Sequence, residues 1–177
     1  MSTFSDAQIS AATAVAGLVD TELQASAITR VQCCARMAGT FLFRSYSHAL
    51  SPQAPGTVLR TPVAGHSGPA LVGLLETTLQ RLGITVDSSL VNMEKLKAGE
   101  DEIGFLAAQK LLEPLLTPVK EKHGLSYEAA AQACAVATAL LIKKEEKQLD
   151  VETAVSRAIY AFIEGSKTVP APLTQKH

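Results

Sequence analysis

Hydrophobic and polar positions alternate along this chain with the period of α-helices, most clearly from Ile28 to Ala49. Apolar residues recur there every three or four positions, which places them on one face of a helix. This apolar face consists of Ile28, Val31, Cys34, Ala35, Ala38, Phe41, Leu42 and Tyr46. The opposite face is polar and consists of Thr29, Gln32, Arg36 and Thr40. The pattern predicts a long amphipathic helix at the centre of the protein, on which the other helices pack.

Three further residues of this helix predict contacts with its neighbours. Arg30 and Arg44 lie at the edge of the apolar face, where long cationic side chains usually pair with a carboxylate of another helix. The alternative is that these guanidinium groups bind a small anion. Gly39 lies in the middle of the helix, where glycine costs about 1 kcal/mol relative to alanine. We predict that a second helix approaches closely at Gly39, since such a contact needs a residue without a side chain.

The N-terminal region predicts a first helix, with Ser5 as its N-cap. Gly17 and the pair Asp20-Thr21 indicate a break, after which Asp20 or Thr21 caps the long helix. A single continuous helix with a kink is the alternative interpretation of this region.

A long non-helical segment is predicted at 51–68, SPQAPGTVLRTPVAGHSG, because its three prolines and three glycines disfavour a regular helix. Ser67 is predicted to cap the next helix, with Pro69 in its first turn and Gly83 just after its end. A short helix is predicted next, over 87–99.

The second half of the chain predicts three more helices. The first begins at Asp101 and is kinked or broken at Pro114. Its apolar face consists of Ile103, Leu106, Ala107, Leu111 and Leu115. The other two begin at Ser126 and Asp150, and the earlier one is so rich in alanine that we predict an interior helix. The last helix is predicted to end at Gly165.

Together these elements predict an all-α fold. It is a compact, irregular bundle of about six or seven helices around the long helix, with one long Pro/Gly loop. The length of 177 residues fits one helical domain, which we place at 1–165, with an extended or disordered tail at 166–177. Hydrophobic residues make up 47% of the chain and charged residues 19%, which is typical of a globular protein.

Charge and cysteine content narrow the classes of function. The net charge is −1 and cationic residues are spread along the chain, so no nucleic-acid partner is predicted. No transmembrane helix is predicted, since no apolar run reaches about 18 residues. No signal peptide is predicted, because the N-terminal residues MSTFSDAQIS lack the basic region and the apolar region of one. Cys33, Cys34 and Cys134 form no disulfide framework, and we predict that they pack in the core of a cytoplasmic protein as reduced thiols.

The main candidate for a binding site is the predicted helix start at Ser67. Free N–H groups of a helix N-terminus bind anions, and Arg44, Arg60 and His66 would supply positive charge beside them. The alternative is a capped helix start with an exposed histidine. The four histidines lack the spacing of metal ligands, so we predict neither a metal nor a cofactor.

These patterns lead to two hypotheses about function. The first is a non-catalytic binding module that associates with itself, as a homodimer, because several of its helices are apolar over most of their surface. The second is a protein or enzyme that binds a small anionic ligand at Arg44, Arg60, His66 and Ser67.

Overall fold

In a computed structural model of the protein, six α-helices account for most of the described chain. The structure describes residues 4–47, 50, 52–60, 62–87 and 102–173, apart from the side chains of 62–67. The helices are α1 (Asp6–Glu22), α2 (Ala27–Tyr46), α3 (Pro62–Arg81), α4 (Phe105–Lys122), α5 (Tyr127–Glu145) and α6 (Val151–Lys167). These residues include no β-strand beyond one isolated bridge, so the all-α prediction is confirmed. The short helix predicted over 87–99 falls almost wholly outside the described residues.

The N-terminal end of α1 is held by a capping box. The Ser5 hydroxyl accepts the backbone N–H of Gln8 at 3.2 Å, and the Gln8 side chain accepts the Ser5 N–H at 3.2 Å. Both backbone N–H groups, which have no partner within the helix, are therefore hydrogen-bonded, as the motif requires. The predicted cap at Ser5 is confirmed.

The break between α1 and α2 lies later than the sequence indicated. α1 continues through Gly17 to Glu22, because its buried residues pack against α5 along its whole length. The linker is 23–26, and the Ser26 hydroxyl caps α2 by accepting the N–H of Thr29 at 3.4 Å. The predicted cap at Asp20 or Thr21 is wrong, and so is the alternative of one continuous helix.

Burial distinguishes α2 from the other helices. It has 20 residues, the same number as α3, but it contacts each of the other five helices. Every residue from Val31 to Phe43 is buried. The predicted polar face is therefore buried as well, with relative exposures of 4% for Thr29, 5% for Gln32, 2% for Arg36 and 0% for Thr40.

The buried guanidinium of Arg36 explains how this polar face is accommodated. Arg36 Nη1 donates to the carbonyl oxygen of Ile103 at 2.7 Å, and its Nε lies 3.1 Å from Glu164 Oε1. A buried charge is tolerated only when it is paired in this way. On this side, α2 is therefore covered by α6 and by the residues that precede α4.

A pair of glycines sets the closest contact between α2 and α6. A Cβ atom on Gly39 would lie 2.6 Å from the Phe162 carbonyl oxygen and 2.7 Å from Gly165 Cα. The predicted close approach at Gly39 is confirmed. Gly165 does not end α6, which continues to Lys167; it meets Gly39 instead, because neither residue carries a side chain.

The alanine-rich helix α5 lies in the interior, as predicted. Its buried residues run from Ala130 to Ile142, and it packs against α1, α2 and α3. Small side chains allow these close contacts. Ser126 caps the helix, its hydroxyl accepting the N–H of Ala129 at 3.1 Å.

The helix α4 differs from its prediction in its start, its prolines and its buried face. It begins at Phe105 after Gly104, not at Asp101, and it runs through Pro114 and Pro118 without a break. Both prolines lie on its exposed side, where water reaches the surrounding backbone. Its buried residues are Ala108, Gln109, Leu112, Glu113 and Leu116. The predicted apolar face was therefore shifted by about one position along the sequence.

The helix α3 begins earlier than predicted. Pro62 is its first residue, and proline is well suited to that position because its missing N–H would be unbonded there anyway. Ser67 is therefore not an N-cap, and Pro69 lies inside the helix. Gly83 follows the end of α3 with a φ of 81°, as a C-terminal cap requires, so its predicted role is confirmed.

A carboxylate from a distant part of the chain binds the N-terminus of α2. Glu102 Oε2 accepts hydrogen bonds from the Thr29 hydroxyl at 2.6 Å, the Ser26 hydroxyl at 2.8 Å and the Ser26 N–H at 3.3 Å. These bonds, that from Thr29 first, hold the pKa of Glu102 below its usual value of 4.5. The negative charge also lies favourably at the positive end of the helix dipole.

This contact predicts a pH-dependent contribution to stability. Because the pKa of Glu102 is lowered in the folded state, its stabilising effect is present above pH 4.5 and is lost as the pH falls through the folded value. We expect Glu102→Gln to lower the free energy of unfolding at pH 7, with a difference from wild type that shrinks below pH 4.5. Urea denaturation across this range measures it, and a difference that stays constant with pH would contradict the assignment.

No single helix among the described residues is both long and apolar enough to cross a membrane. Only α4 and α5 taken together meet the requirement, and they are bent by 113° at the break between them.

Candidate functional site

The chain after α6 runs in an extended conformation against the segment 56–59. The Leu59 N–H donates to the Lys167 carbonyl at 2.7 Å, and the Val169 N–H donates to the Thr57 carbonyl at 2.9 Å. Between these two bonds, Val58 and Thr168 face each other as an antiparallel pair. Thr168 and Pro170 are buried. Residues 168–171 of the predicted tail thus lie against the protein.

Two side chains bind the main chain of this segment at Ala171. The Ala171 N–H donates to Gln109 Oε1 at 2.8 Å, and its carbonyl accepts from Gln109 Nε2 at 3.2 Å. Arg44 Nη2 donates to the same carbonyl at 2.8 Å. The N–H and the carbonyl of Ala171 are therefore both hydrogen-bonded, and none of the three bonds involves the Ala171 side chain.

Glu113 holds both of these side chains in place. Its Oε2 accepts from Arg44 Nη2 at 2.9 Å and from Gln109 Nε2 at 2.5 Å, and its Oε1 accepts from Arg44 Nε. The Glu113 side chain is 4% exposed and that of Arg44 is 12% exposed. Paired contacts of this kind between arginine and carboxylate are stronger and more specific than single ones. We call Arg44, Gln109, Glu113 and the segment 56–59 the tail cradle.

Both arginines at the edge of the predicted apolar face of α2 pair with carboxylates. Arg44 pairs with a carboxylate of a neighbouring helix, as the structural interpretation predicted. Arg30 does the same, with its Nη2 3.5 Å from Glu145 Oε1 and its Nε 3.7 Å from Asp20 Oδ1. The guanidinium of Arg44 is engaged by the protein itself.

The other residues of the predicted anion site lie after the segment 56–59 and in α3. Arg60 is exposed just after the segment 56–59. His66 and Ser67 lie in the second turn of α3, and their side chains are outside the described part of the structure. The helix N-terminus that the site required is at Pro62. Anion binding at Arg44, Arg60, His66 and Ser67 stays a prediction.

Sequence reasoning missed Gln109 and Glu113. They are four positions apart on a helix, in phase with Ala108, Leu112 and Leu116, so one face of α4 carries apolar and polar residues together. The need of Arg44 for a carboxylate was the available signal. It could not select Glu113, which is 69 positions away in the chain.

All three cysteines pack in the core as free thiols, as predicted. Burial raises the pKa of Cys34 to about 12 and that of Cys134 well above 9.0. These two thiols are therefore protonated at neutral pH and react slowly. Among the described residues, no group of three or more His, Cys, Asp or Glu residues could hold a metal ion.

Several large hydrophobic side chains are exposed. Of the described residues, six large hydrophobic ones are exposed: Ile9, Val58, Leu111, Tyr160, Ile163 and Leu173. Four lie on α4, on α6 or on the two extended segments: Val58 is 68% exposed, Leu111 45%, Ile163 41% and Leu173 47%. We call these four residues the apolar rim.

Comparisons with protein-family models, with curated proteins and with solved structures gave no match. The candidate site is therefore interpreted from its own geometry alone.

Proposed function

We propose that this protein is a non-catalytic helical module that associates with itself as a homodimer. The apolar rim is the observation that carries the proposal. Exposed hydrophobic side chains are common singly, and a surface that binds another protein collects several of them. Val58, Leu111, Ile163 and Leu173 are the residues that such a surface would use.

The polar groups beside the rim support binding over catalysis. Arg44, Gln109 and Glu113 bond to one another and to the main chain of Ala171. A catalytic acid or base needs a position from which it reaches a substrate. These side chains instead fix the conformation of a segment at the surface, which suits a rigid binding face.

The composition of the interior gives a further reason to place the interface at the rim. The helices with the most apolar sequences, α2 and α5, are covered within one chain, so they offer no surface to a partner. The exposed large hydrophobic side chains of the described residues lie on α1, on α4, on α6 and at Val58 and Leu173. We also propose a cytoplasmic location, which the three free thiols support.

Charged substitutions in the rim test the proposal. We expect Leu111→Glu with Ile163→Glu to weaken dimerisation by more than about tenfold, because each buried side chain contributes about 1 kcal/mol and each carboxylate must be desolvated. Sedimentation velocity over a concentration series measures the dissociation constant. The matched control is Ile9→Glu, whose site on α1 is 51% exposed and outside the rim.

Both substituted residues of the test lie at exposed positions, so the fold itself is expected to remain. Circular dichroism and the urea midpoint check this for each variant. If the double variant dimerises as tightly as wild type, the rim is not the interface.

A further inference from the structure

We propose that the homodimer forms by antiparallel pairing of the segment 57–60 with the same segment of a second copy. This inference rests on the proposed self-association and adds the contact at its centre. The observation that carries it is Val58, whose side chain is 68% exposed and whose main-chain N–H and carbonyl have no partner among the described residues. An exposed strand edge with unpaired main-chain groups is a template for the addition of another strand.

The bridge to the C-terminal segment fixes the direction of these two groups. Val58 faces Thr168 in the antiparallel pair, but the hydrogen bonds on either side are made by the neighbours of Val58. The Thr57 carbonyl accepts one of them at 2.9 Å, and the Leu59 N–H donates the other at 2.7 Å. Successive residues of a strand direct their main-chain groups to opposite edges. The N–H and the carbonyl of Val58 therefore point away from Thr168, toward the open edge.

The C-terminal segment does not offer an edge of this kind. Thr168 is 4% exposed, and its N–H donates to the Glu164 carbonyl at 3.0 Å. The N–H and the carbonyl of Ala171 are bonded to side chains of the tail cradle. A further strand therefore adds on the side of Val58 and not on the side of the C-terminal segment.

The edge is already formed in a single chain. A turn precedes it, in which the Thr57 N–H donates to the Ala54 carbonyl at 3.1 Å and Gly56 has a φ of 85°. The Gly56 N–H donates to the Val169 carbonyl at 2.7 Å, beside the bonds that flank Val58. Association therefore orders little main chain, which lowers its cost in conformational entropy.

A second copy of the segment suits this edge because the pairing is then symmetric. With Val58 opposite the partner's Val58, the N–H of each donates to the carbonyl of the other across a twofold axis. Arg60, the one charged residue of 57–60, then lies opposite the partner's Gly56, which has no side chain. Like charges directly opposite each other destabilise a sheet, and this register avoids them. The two Val58 side chains lie together at the centre of the interface, so their exposed surface is buried only on association.

Val58→Pro tests the pairing in the full-length protein. Proline removes the outward N–H but keeps an apolar side chain of similar size, and no bond within the described structure uses that N–H. We expect a dimer at least about tenfold weaker, since the twofold axis makes each substitution remove two hydrogen bonds. Sedimentation velocity measures the dissociation constant. The matched control is Val58→Ile, which keeps the N–H and should dimerise like wild type.

A cysteine at the centre of the pairing tests the register without proline. In a hydrogen-bonded antiparallel pair the Cα atoms are about 5.5 Å apart, within reach of a disulfide. Val58→Cys should therefore form a disulfide between chains rapidly on mild oxidation, while the buried native thiols do not compete. The matched control is Arg60→Cys, which is also exposed but lies about 13 Å from its counterpart, because four residues separate them along the strand. Equal rates for the two variants would overturn the pairing.

The same measurements separate failure of the pairing from failure of the proposed function. If wild type has the mass of one chain at every concentration, the proposed function fails and the pairing fails with it. If wild type is a dimer and Val58→Pro, checked for its fold by circular dichroism, dimerises as tightly as Val58→Ile, self-association stands and the pairing at 57–60 is wrong.

Discussion

Glu113→Ala is expected to lower the free energy of unfolding by about 3–5 kcal/mol, the usual loss when one partner of a buried ion pair is removed. Glu113 is 4% exposed, and it is the carboxylate that pairs with Arg44. Without it, the guanidinium stays at 12% exposure with no negative charge beside it, and Gln109 loses an acceptor. Urea denaturation monitored by circular dichroism measures the loss.

A solvent-exposed ion pair provides the matched control. Lys143 and Glu146 are 2.7 Å apart, with side chains 39% and 32% exposed. Glu146→Ala should cost less than about 0.5 kcal/mol, because water screens such pairs. The double variant Arg44→Met with Glu113→Leu should recover much of the loss, since no buried charge then remains. If Glu113→Ala and Glu146→Ala lower the free energy of unfolding equally, the Glu113 carboxylate is not buried and paired as described.

Gly165→Ala is expected to have an effect of similar size, about 3 kcal/mol or more, through the packing of α2 on α6. The added Cβ would lie 2.4 Å from the Arg36 carbonyl oxygen and 3.0 Å from Gly39 Cα. Both neighbours are backbone atoms of a buried helix, so they cannot rotate away as a side chain would. The two helices must separate, which also disturbs the contact between Arg36 and Glu164.

Gly17→Ala is the control for this substitution. Gly17 lies on the exposed side of α1, and a Cβ there would meet nothing within 4 Å. Alanine is the better helix former, so this variant should gain up to about 1 kcal/mol. Thermal unfolding of both variants shows the contrast. If Gly165→Ala unfolds at the same temperature as Gly17→Ala, the close contact between α2 and α6 is wrong.

Local features of the fold could be predicted from the sequence because they depend on residues near each other in the chain. The caps at Ser5 and Ser126 and the glycine after α3 follow from short-range hydrogen bonding and backbone geometry. The close approach at Gly39 was predictable because a glycine inside a helix needs a reason.

Contacts between distant segments could not be predicted in the same way. The burial of the polar face of α2 depends on Ile103, 67 positions from Arg36, and on Glu164 of α6. The buried face of α4 was misplaced because it includes Gln109 and Glu113, which the predicted apolar face left out. Both cases have one cause, since a polar residue is buried when a distant partner satisfies it.

At the candidate site, too, short-range features were predictable and contacts between distant segments were not. The requirement of Arg44 for a carboxylate was predictable from its position beside an apolar face. The identity of that carboxylate and the binding of Ala171 were not, because they depend on how α4 and the C-terminal segment pack. The start of α3 was misplaced because two prolines, Pro62 and Pro69, are both acceptable in a first helical turn.

The most direct test of the proposed function is the mass of the intact protein in solution, measured by light scattering over a range of concentrations. Self-association predicts a species of twice the 18.6 kDa of one chain, which dissociates on dilution and is lost with Leu111→Glu and Ile163→Glu. A mass of 18.6 kDa at every concentration would contradict the proposal. The apolar rim would then be the surface of a monomer.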